Sequence, residues 1–423
     1  VGQIKAFLRF HLYICLIFPG GPDQHNARRE QNKHSIKDPE LKEKIKFSLY
    51  LLLYYIVRCV PAKARQRHLI IVKTDEIGDY VLVRNLLRYF KSSAKYSGYR
   101  IIFVGNGIFR PLFDRYDAAV ADETIWLDKK KFMQNILYRF RFLCRIRKTG
   151  ASIALNLVYS RNFRTDDVMM AVTTASDRIG MISESRLIPP FERRLTPGHV
   201  YTRMEDSGPE TLFDAIRNAG FISQLLDGAP LPWTTHIPEV DDIPSFSLPD
   251  AYFVIFPGSG IKIKKWPPSH FAAVAKHLVQ HYRLNPVVCG SPADAGECAA
   301  FLREYGDKAV DLSGKTSLSQ MLSVLKRAVC LISVDTGAVH LAAAVGCPVF
   351  ALYNGAHYGR FAPYPKEIAP DFYPVYPDRI DEIIRTGSTT DFETIPLDLL
   401  KTIAPEKMIR NIDAFFRQKK VGG

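Results

Sequence analysis

The chain has 423 residues, enough for two or three ordinary domains and a sizeable core. Apolar residues make up 47% and charged residues 24%, a balance that excludes a disordered or fibrous chain. The net charge of +14 is unevenly placed: residues 1–150 carry 29 Lys and Arg against 13 Asp and Glu, and the remainder carries 28 against 30. Any anionic surface the protein meets should therefore meet the first third. Seven scattered cysteines (15, 59, 144, 289, 298, 330 and 347), with no CxxC pair and no Cys/His cluster, argue for a reducing compartment and against structural zinc.

No apolar run reaches the roughly 18–20 residues that span a bilayer. Ile4–Phe18 is interrupted by Arg9 and His11, and no small-residue cleavage site follows, so a secretory signal is not expected. Phe47–Val57 (FSLYLLLYYIV) is flanked by Lys42, Lys44, Lys46 and Arg58. It reads either as a helix lying in a membrane interface or as one packed on the adjacent domain. Residues 1–67 are taken as a basic and apolar extension.

From residue 68 short apolar runs alternate with helical patterns. The runs are HLIIVK (68–73), RIIFVG (100–105), TIWLD (124–128) and SIALNLVY (152–159), then AYFVIFPG (251–258), NPVVCG (285–290), CLISVD (330–335) and PVFALY (348–353). Runs that are apolar throughout suit parallel strands covered on both faces. The stretches 270–282 and 317–328 between them read as helices. The expectation is an α/β protein of two doubly wound domains, 68–235 and 251–423, joined by the Pro- and Asp-rich segment 236–250 and facing across a cleft. The basic stretch 129–148 reads as a single amphipathic helix with Phe132, Ile136, Phe140 and Leu143 along one side.

Three β-to-α junctions carry chemistry. The first, VKTDEIGDYVLVRNLL (72–87), has one glycine, Gly78, where a dinucleotide fingerprint needs three. Asp79 opens a helix there, either as an ordinary N-cap or as a carboxylate able to take a proton. The second, FPGSGIKIKKWPPSHF (256–271), sets Gly258, Ser259 and Gly260 before Lys262, Lys264 and Lys265, which suits a phosphate or a merely solvated loop. The third, LISVDTGAVHLAAAVG (331–346), ends an apolar strand in Asp335, Thr336 and Gly337, with His340 one turn into a small-residue helix. The start of that helix offers N–H groups and partial positive charge to an anion. An acid ending a buried strand is costly without a partner.

These segments, with DLSGKTSLSQMLSVL (311–325), resemble glycosyltransferase family 9, typified by the ADP-heptose:lipopolysaccharide heptosyltransferases, over about residues 68–365. The resemblance implies a GT-B fold of two Rossmann-like domains, with the acceptor on the amino-terminal domain and a nucleotide-sugar donor on the carboxyl-terminal one. By that resemblance Asp79 is the general base and Lys264 contacts the donor phosphates. Asp335, Thr336, Gly337 and His340 hold the diphosphate and sugar, with Ser259 beside them. The acceptor would be lipopolysaccharide core or a related envelope glycolipid, the donor ADP-heptose, and no metal or other cofactor is expected, there being no D-x-D motif. The sequence departs from the family at Asp75 and Glu76, where many members have two serines, making the pocket more acidic. It departs again at Asn354-Gly355-Ala356, where a G-P-T turn is usual. A transferase of the same fold using another nucleotide-sugar for a different surface polysaccharide is the alternative. Nucleic acid is not an expected partner, since no zinc knuckle, RNP-like or helix-turn-helix signature accompanies the basic charge. The basic first third implies a cytoplasmic protein attached peripherally to the anionic inner-membrane surface.

Overall fold

The computed structural model describes residues 39–183, 188–238, 240, 246–387 and 398–421. The run Ile4–Phe18, six residues of the expected linker (239 and 241–245) and the Lys262 side chain lie outside the described residues. Two compact units result. The first holds the described residues up to Asp75 with Tyr89–Arg110 and Ala119–Ser207; the second holds Glu76–Arg88, Pro111–Ala118 and everything described from Gly208 on.

The first unit is a six-stranded parallel sheet of β1 (Gln66–Lys73), β2 (Arg100–Asn106), β3 (Glu123–Leu127), β4 (Ala151–Asn156), β5 (Asp177–Met181) and β6 (Arg203–Glu205), in spatial order 3-2-1-4-5-6. In β1 the consecutive residues Leu69, Ile70, Ile71 and Val72 are all buried, because helices cover both faces. Register sets Ile70 beside Ile102 on β2 and Ala154 on β4.

The second unit repeats that order. Its strands are β7 (Tyr252–Phe256), β8 (Asn285–Val288), β9 (Val310–Asp311), β10 (Leu331–Val334), β11 (Val349–Leu352) and β12 (Phe372–Val375), all parallel, in the order 12-11-10-7-8-9. Counted within the unit this is again 3-2-1-4-5-6, the doubly wound order whose reversal lies between its first and fourth strands. The reversal therefore falls between β7 and β10. The helix Pro405–Val421 closes one face, with Met408, Ile412 and Phe415 in the core beside Phe350 and Leu352.

The helix Pro39–Cys59 packs against the helices Ile136–Arg147 and Asp166–Val172 that cover the first sheet. Phe47, Leu51, Tyr54 and Val57 are buried in one cluster with Ile70, Phe142, Leu143 and Phe163, which answers the choice left open for this segment on its inner side. Its outer side keeps Ile45, Leu49 and Ile56 exposed. Among the described residues no helix is long and apolar enough to cross a membrane.

The stretch 129–148 is two helices, Lys129–Gln134 and Ile136–Arg147, not one. Asn135 breaks it: its backbone is extended, and its side chain accepts the N–H groups of Leu137 and Tyr138 as an N-cap. Phe132 and Leu143 are buried as expected of one face, but Ile136 is 52% exposed. Arg139, one of the basic residues of this stretch, is wholly buried; it donates to the Arg164 carbonyl and lies 3.9 Å from the Tyr50 ring centroid.

Replacing Phe47 by Ala should open a cavity and cost about 3–5 kcal/mol. Leu49→Gln, on the exposed side of the same helix, should stay within about 0.5 kcal/mol of the parent. Urea unfolding followed by circular dichroism separates the two.

Candidate active site

The reversal between β7 and β10 is where doubly wound sheets leave a crevice outside the carboxyl ends of their strands. Two of the expected segments meet that position. The loop after β7 carries Gly258, Ser259 and Lys264, and β10 runs directly into Asp335, Thr336 and Gly337. Lys264 Nζ donates to Asp335 Oδ2 at 2.5 Å, with both side chains largely covered, so the acid at the strand end has its partner. Lys264 is held by its neighbours: Trp266 is buried and its indole N–H donates to the Ile403 carbonyl, while Lys265 pairs with Glu297.

Gly258 is required by packing, since a Cβ there would stand 2.3 Å from the Asp294 carboxylate. Ser259 is committed to its own loop, its hydroxyl accepting the Ile261 N–H at 3.2 Å. Thr336 is the extended residue that opens the helix Gly337–Ala344, and its hydroxyl lies 3.4 Å from that of Ser333. The first N–H groups of this helix have no acceptor within it and point out of its end.

Asp79 belongs to the second unit. It sits on the short helix Ile77–Val81, which packs against Gly337–Ala344. Asp79 is not the N-cap. Glu76 holds that place, and the Asp79 carboxylate reaches back to accept the Glu76 N–H at 3.2 Å while staying partly exposed. The packing is tight on both sides. A Cβ on Gly337 would lie 3.2 Å from Ile77 Cβ, and one on Gly78 would lie 2.4 Å from His340 Cδ2 and 2.9 Å from its Nε2.

His340 is 4% exposed. Its Nδ1 shares a hydrogen bond with the Tyr364 hydroxyl at 2.7 Å, and its ring meets Phe361 edge-on. Burial lowers its pKa, against the opposing charges of Asp335 and Asp79, so the ring is neutral at pH 7. The structure thus makes His340 a wall behind Gly78 rather than a solvent-facing group.

The acidity expected at Asp75 is compensated. Within the first unit, Lys73 is buried and donates to Asp75 Oδ2 at 2.9 Å and to the Leu157 carbonyl. Asn354 spends its side-chain oxygen on the Ala356 N–H.

Several residues of the site were not read from the sequence. His357 feels Lys264, Asp335 and Asp79, and burial followed by the charges of Arg360 and Lys264 lowers its pKa. Tyr353 and Tyr376 are buried phenols whose hydroxyls find no partner among the described residues, and the Asp335 charge acts on both. Arg360 forms two hydrogen bonds to Asp214, at 3.2 and 2.8 Å, and Arg217 adds a third. Burial alone would raise Asp214, but Arg360 and Arg217 hold it below the usual carboxylate range. Only Tyr353, at the end of a run read as strand, had a local signal.

Residues 168–369 match the family model described as glycosyltransferase family 9 (heptosyltransferase). The matched span is a little under half of the chain. Among curated proteins it is 35% identical over 94 residues to lipooligosaccharide heptosyltransferase 2 of Haemophilus influenzae, covering 22% of this chain and 27% of that protein. It is 29% identical over 129 residues to lipopolysaccharide heptosyltransferase 3 of Escherichia coli, covering 30% and 38%. The aligned segments thus span well under half of these relatives. Among solved structures, the glycosyl transferase family 9 protein of Veillonella parvula superposes with a TM-score of 0.59 at 19% identity, over 84% of this chain and 98% of that one. The ADP-heptose lps heptosyltransferase II of E. coli gives 0.55 at 18%, over 84% and 99%. These likenesses establish the fold alone, GT-B with two Rossmann-like units.

The close approach of Gly78 to His340 has a measurable consequence. Gly78→Ala should destabilise the second unit by about 1–3 kcal/mol through overpacking. Combining it with His340→Ala should recover part of that loss, giving a coupling energy above about 0.5 kcal/mol in a double-mutant cycle of denaturation midpoints.

Proposed function

We propose that the chain is an inverting glycosyltransferase that moves heptose from ADP-heptose to the lipopolysaccharide core or a related envelope glycan. The observation that carries this reading is the joining of Asp79, Lys264, Asp335 and the Gly337 helix in one unit, at the reversal point of its sheet. The relatives support the choice of sugar, being heptosyltransferases by name.

In this mechanism the Asp79 carboxylate removes the proton from the acceptor hydroxyl. The acceptor oxygen bonds to the anomeric carbon from one face while the bond to the diphosphate oxygen breaks on the other. The nucleoside diphosphate leaves with the electron pair. Lys264 and the first N–H groups of Gly337–Ala344 stabilise the charge that grows on the leaving oxygens. A lysine has three donors, so Lys264 can keep Asp335 and still reach a phosphate. Asp335 then acts as a positioning residue. Tyr353 and Tyr376 bring hydroxyls that a bound phosphate or sugar could satisfy. His340, neutral and covered, keeps the Asp79 helix at its height.

A diphosphate is a good leaving group, so the arrangement needs one carboxylate near the reacting centre rather than the pair a glycosidase uses. Asp79→Asn should lower kcat by about 10²–10⁴-fold with donor affinity unchanged. Lys264→Ala should weaken donor binding as well as turnover. A panel of ADP-, GDP- and UDP-sugars, read by thermal stabilisation and by mass spectrometry of products, tests donor identity. Stabilisation by a UDP-sugar and not by ADP-heptose would overturn the choice of donor.

We also infer attachment to an anionic membrane surface through the outer side of Pro39–Cys59. Ile45, Leu49 and Ile56 are exposed there, with the basic residues Lys42, Lys44 and Lys46 on the same helix. Exposed Ile136 and Leu137 head the neighbouring helix Ile136–Arg147. Flotation with phosphatidylglycerol-containing vesicles should fall several-fold for Leu49→Gln/Ile56→Gln. Unchanged flotation would remove this surface from the account.

A further inference from the structure

The first unit contains a second cationic feature, and the transferase reading makes no use of it. Arg58, Arg65, Arg147 and Arg178 line a cavity of about 280 Å³ together with His199 and Thr174. Its place in the fold is distinctive. Arg65 immediately precedes β1, Arg147 precedes β4, Thr174 precedes β5, Arg178 is the second residue of β5, and His199 precedes β6. The cavity therefore opens at the amino ends of the strands, opposite the carboxyl ends where doubly wound sheets keep their substrate crevice.

Four guanidinium groups meet there without a carboxylate in ion-pair contact among the described residues. Asp177 is the acid whose charge reaches Arg178. The arginines are fixed by carbonyl oxygens instead. Arg178 donates to the carbonyls of Val200, Ala175 and His199, and Arg147 to those of Val60 and Val172. These two are half-buried and make a rigid floor. Arg58 and Arg65 stand exposed at the rim. Among the described residues Arg65 commits only its Nε, to the Thr174 carbonyl, and Arg58 only one Nη, to Tyr54 and His199. Each keeps part of its fork for something else.

Two further observations point to a ligand. The Thr174 hydroxyl is buried in the cavity wall and has no partner among the described residues. Arg147 and Arg178 are both pulled below the ordinary guanidinium value, first by burial and then by Arg58, joined at Arg178 by Arg65. Like charges held this close repel, and an anion between them removes the repulsion.

We propose that this cavity is a binding site for a phosphate-bearing group, a phosphomonoester or a diphosphate, separate from the donor site. Four cations suit a group of two or more negative charges, and forked guanidinium groups match its oxygens in pairs. The volume lies at the lower end of small-molecule pockets, so it takes a charged head rather than a whole nucleotide. The same chemistry is offered by a soluble diphosphate and by the headgroup of an acidic lipid. The helix Pro39–Cys59 ends at this cavity through Arg58.

The test uses the full chain and does not read turnover, so its failure and the failure of the transferase reading are distinguishable. Inorganic pyrophosphate is titrated calorimetrically at constant ionic strength. One saturable event should weaken tenfold or more in Arg58→Gln/Arg65→Gln and persist in Lys264→Ala. Equal binding by the parent and the double variant, or loss in Lys264→Ala alone, overturns the proposal. Should the double variant lose secondary structure, Arg65→Gln carries the same comparison. A second arm compares vesicles containing phosphatidic acid with vesicles of equal charge containing phosphatidylglycerol. An arginine-dependent preference for phosphatidic acid assigns the site to a lipid headgroup, and pyrophosphate binding without that preference assigns it to a soluble ligand. Absence of both overturns it.

Discussion

The contact of Gly78 with the His340 ring governs the candidate site. It lets a five-residue helix from the first β-to-α turn lie against the alanine-rich helix Gly337–Ala344 and so brings Asp79 into the second unit. Any side chain at 78 would enter the imidazole, and a larger residue at 337 would meet Ile77. Gly78 is thus required by what faces it, not by its own backbone angles, while Gly337 is closely but not prohibitively faced. Burial of His340 has a cost of its own, which the Tyr364 hydroxyl offsets by taking one ring nitrogen.

Around that contact the charges are arranged in opposed pairs. Asp335 is neutralised by Lys264, and Asp214 by Arg360 and Arg217. Tyr80 and Arg84 close on Asp117 in the same unit, Arg84 through two bonds at 2.9 and 3.0 Å. A buried ion pair with its hydrogen bonds satisfied contributes little net stability, but removing one partner is expensive. Such pairs therefore fix geometry more than they add stability. At Asp335 this means a lysine ammonium held in place at a strand end.

The central strands were legible because burial on both faces leaves an unbroken apolar run, as in β1, β2, β7, β10 and β11. The strands β5 (DRIGM), β6 (RME), β9 (VD) and β12 (FYPV) were not. They lie toward or at sheet edges, are short, and owe their strand character to pairing with a neighbour already in place. SIALNLVY was read too long, since ladder pairing of β4 stops at Asn156. The site divides in the same way. D-T-G-x-x-H was visible because its residues are consecutive on one strand-to-helix turn. Tyr364, His357 and the Asp214–Arg360 pair were invisible, being joined only by the fold; Asp214 and Arg360 are 146 residues apart.

The basic helix shows the limit of periodicity most plainly. The spacing of Phe132, Phe140 and Leu143 matched a helical face, but a pattern of apolar positions does not register that one arginine can be buried when carbonyl and aromatic faces surround it. Arg139 does this, over Tyr50 and Phe132 and against the Arg164 carbonyl. Arg147 and Arg178 repeat the device with backbone carbonyls as partners. A carbonyl accepts from a guanidinium without cancelling its charge, and Arg139 still leaves Nε and one Nη without a partner among the described residues. In the second unit Arg84, Arg217 and Arg360 pair with acids, Arg217 also donating to backbone carbonyls, whereas Arg139, Arg147 and Arg178 of the first are held by carbonyl oxygens.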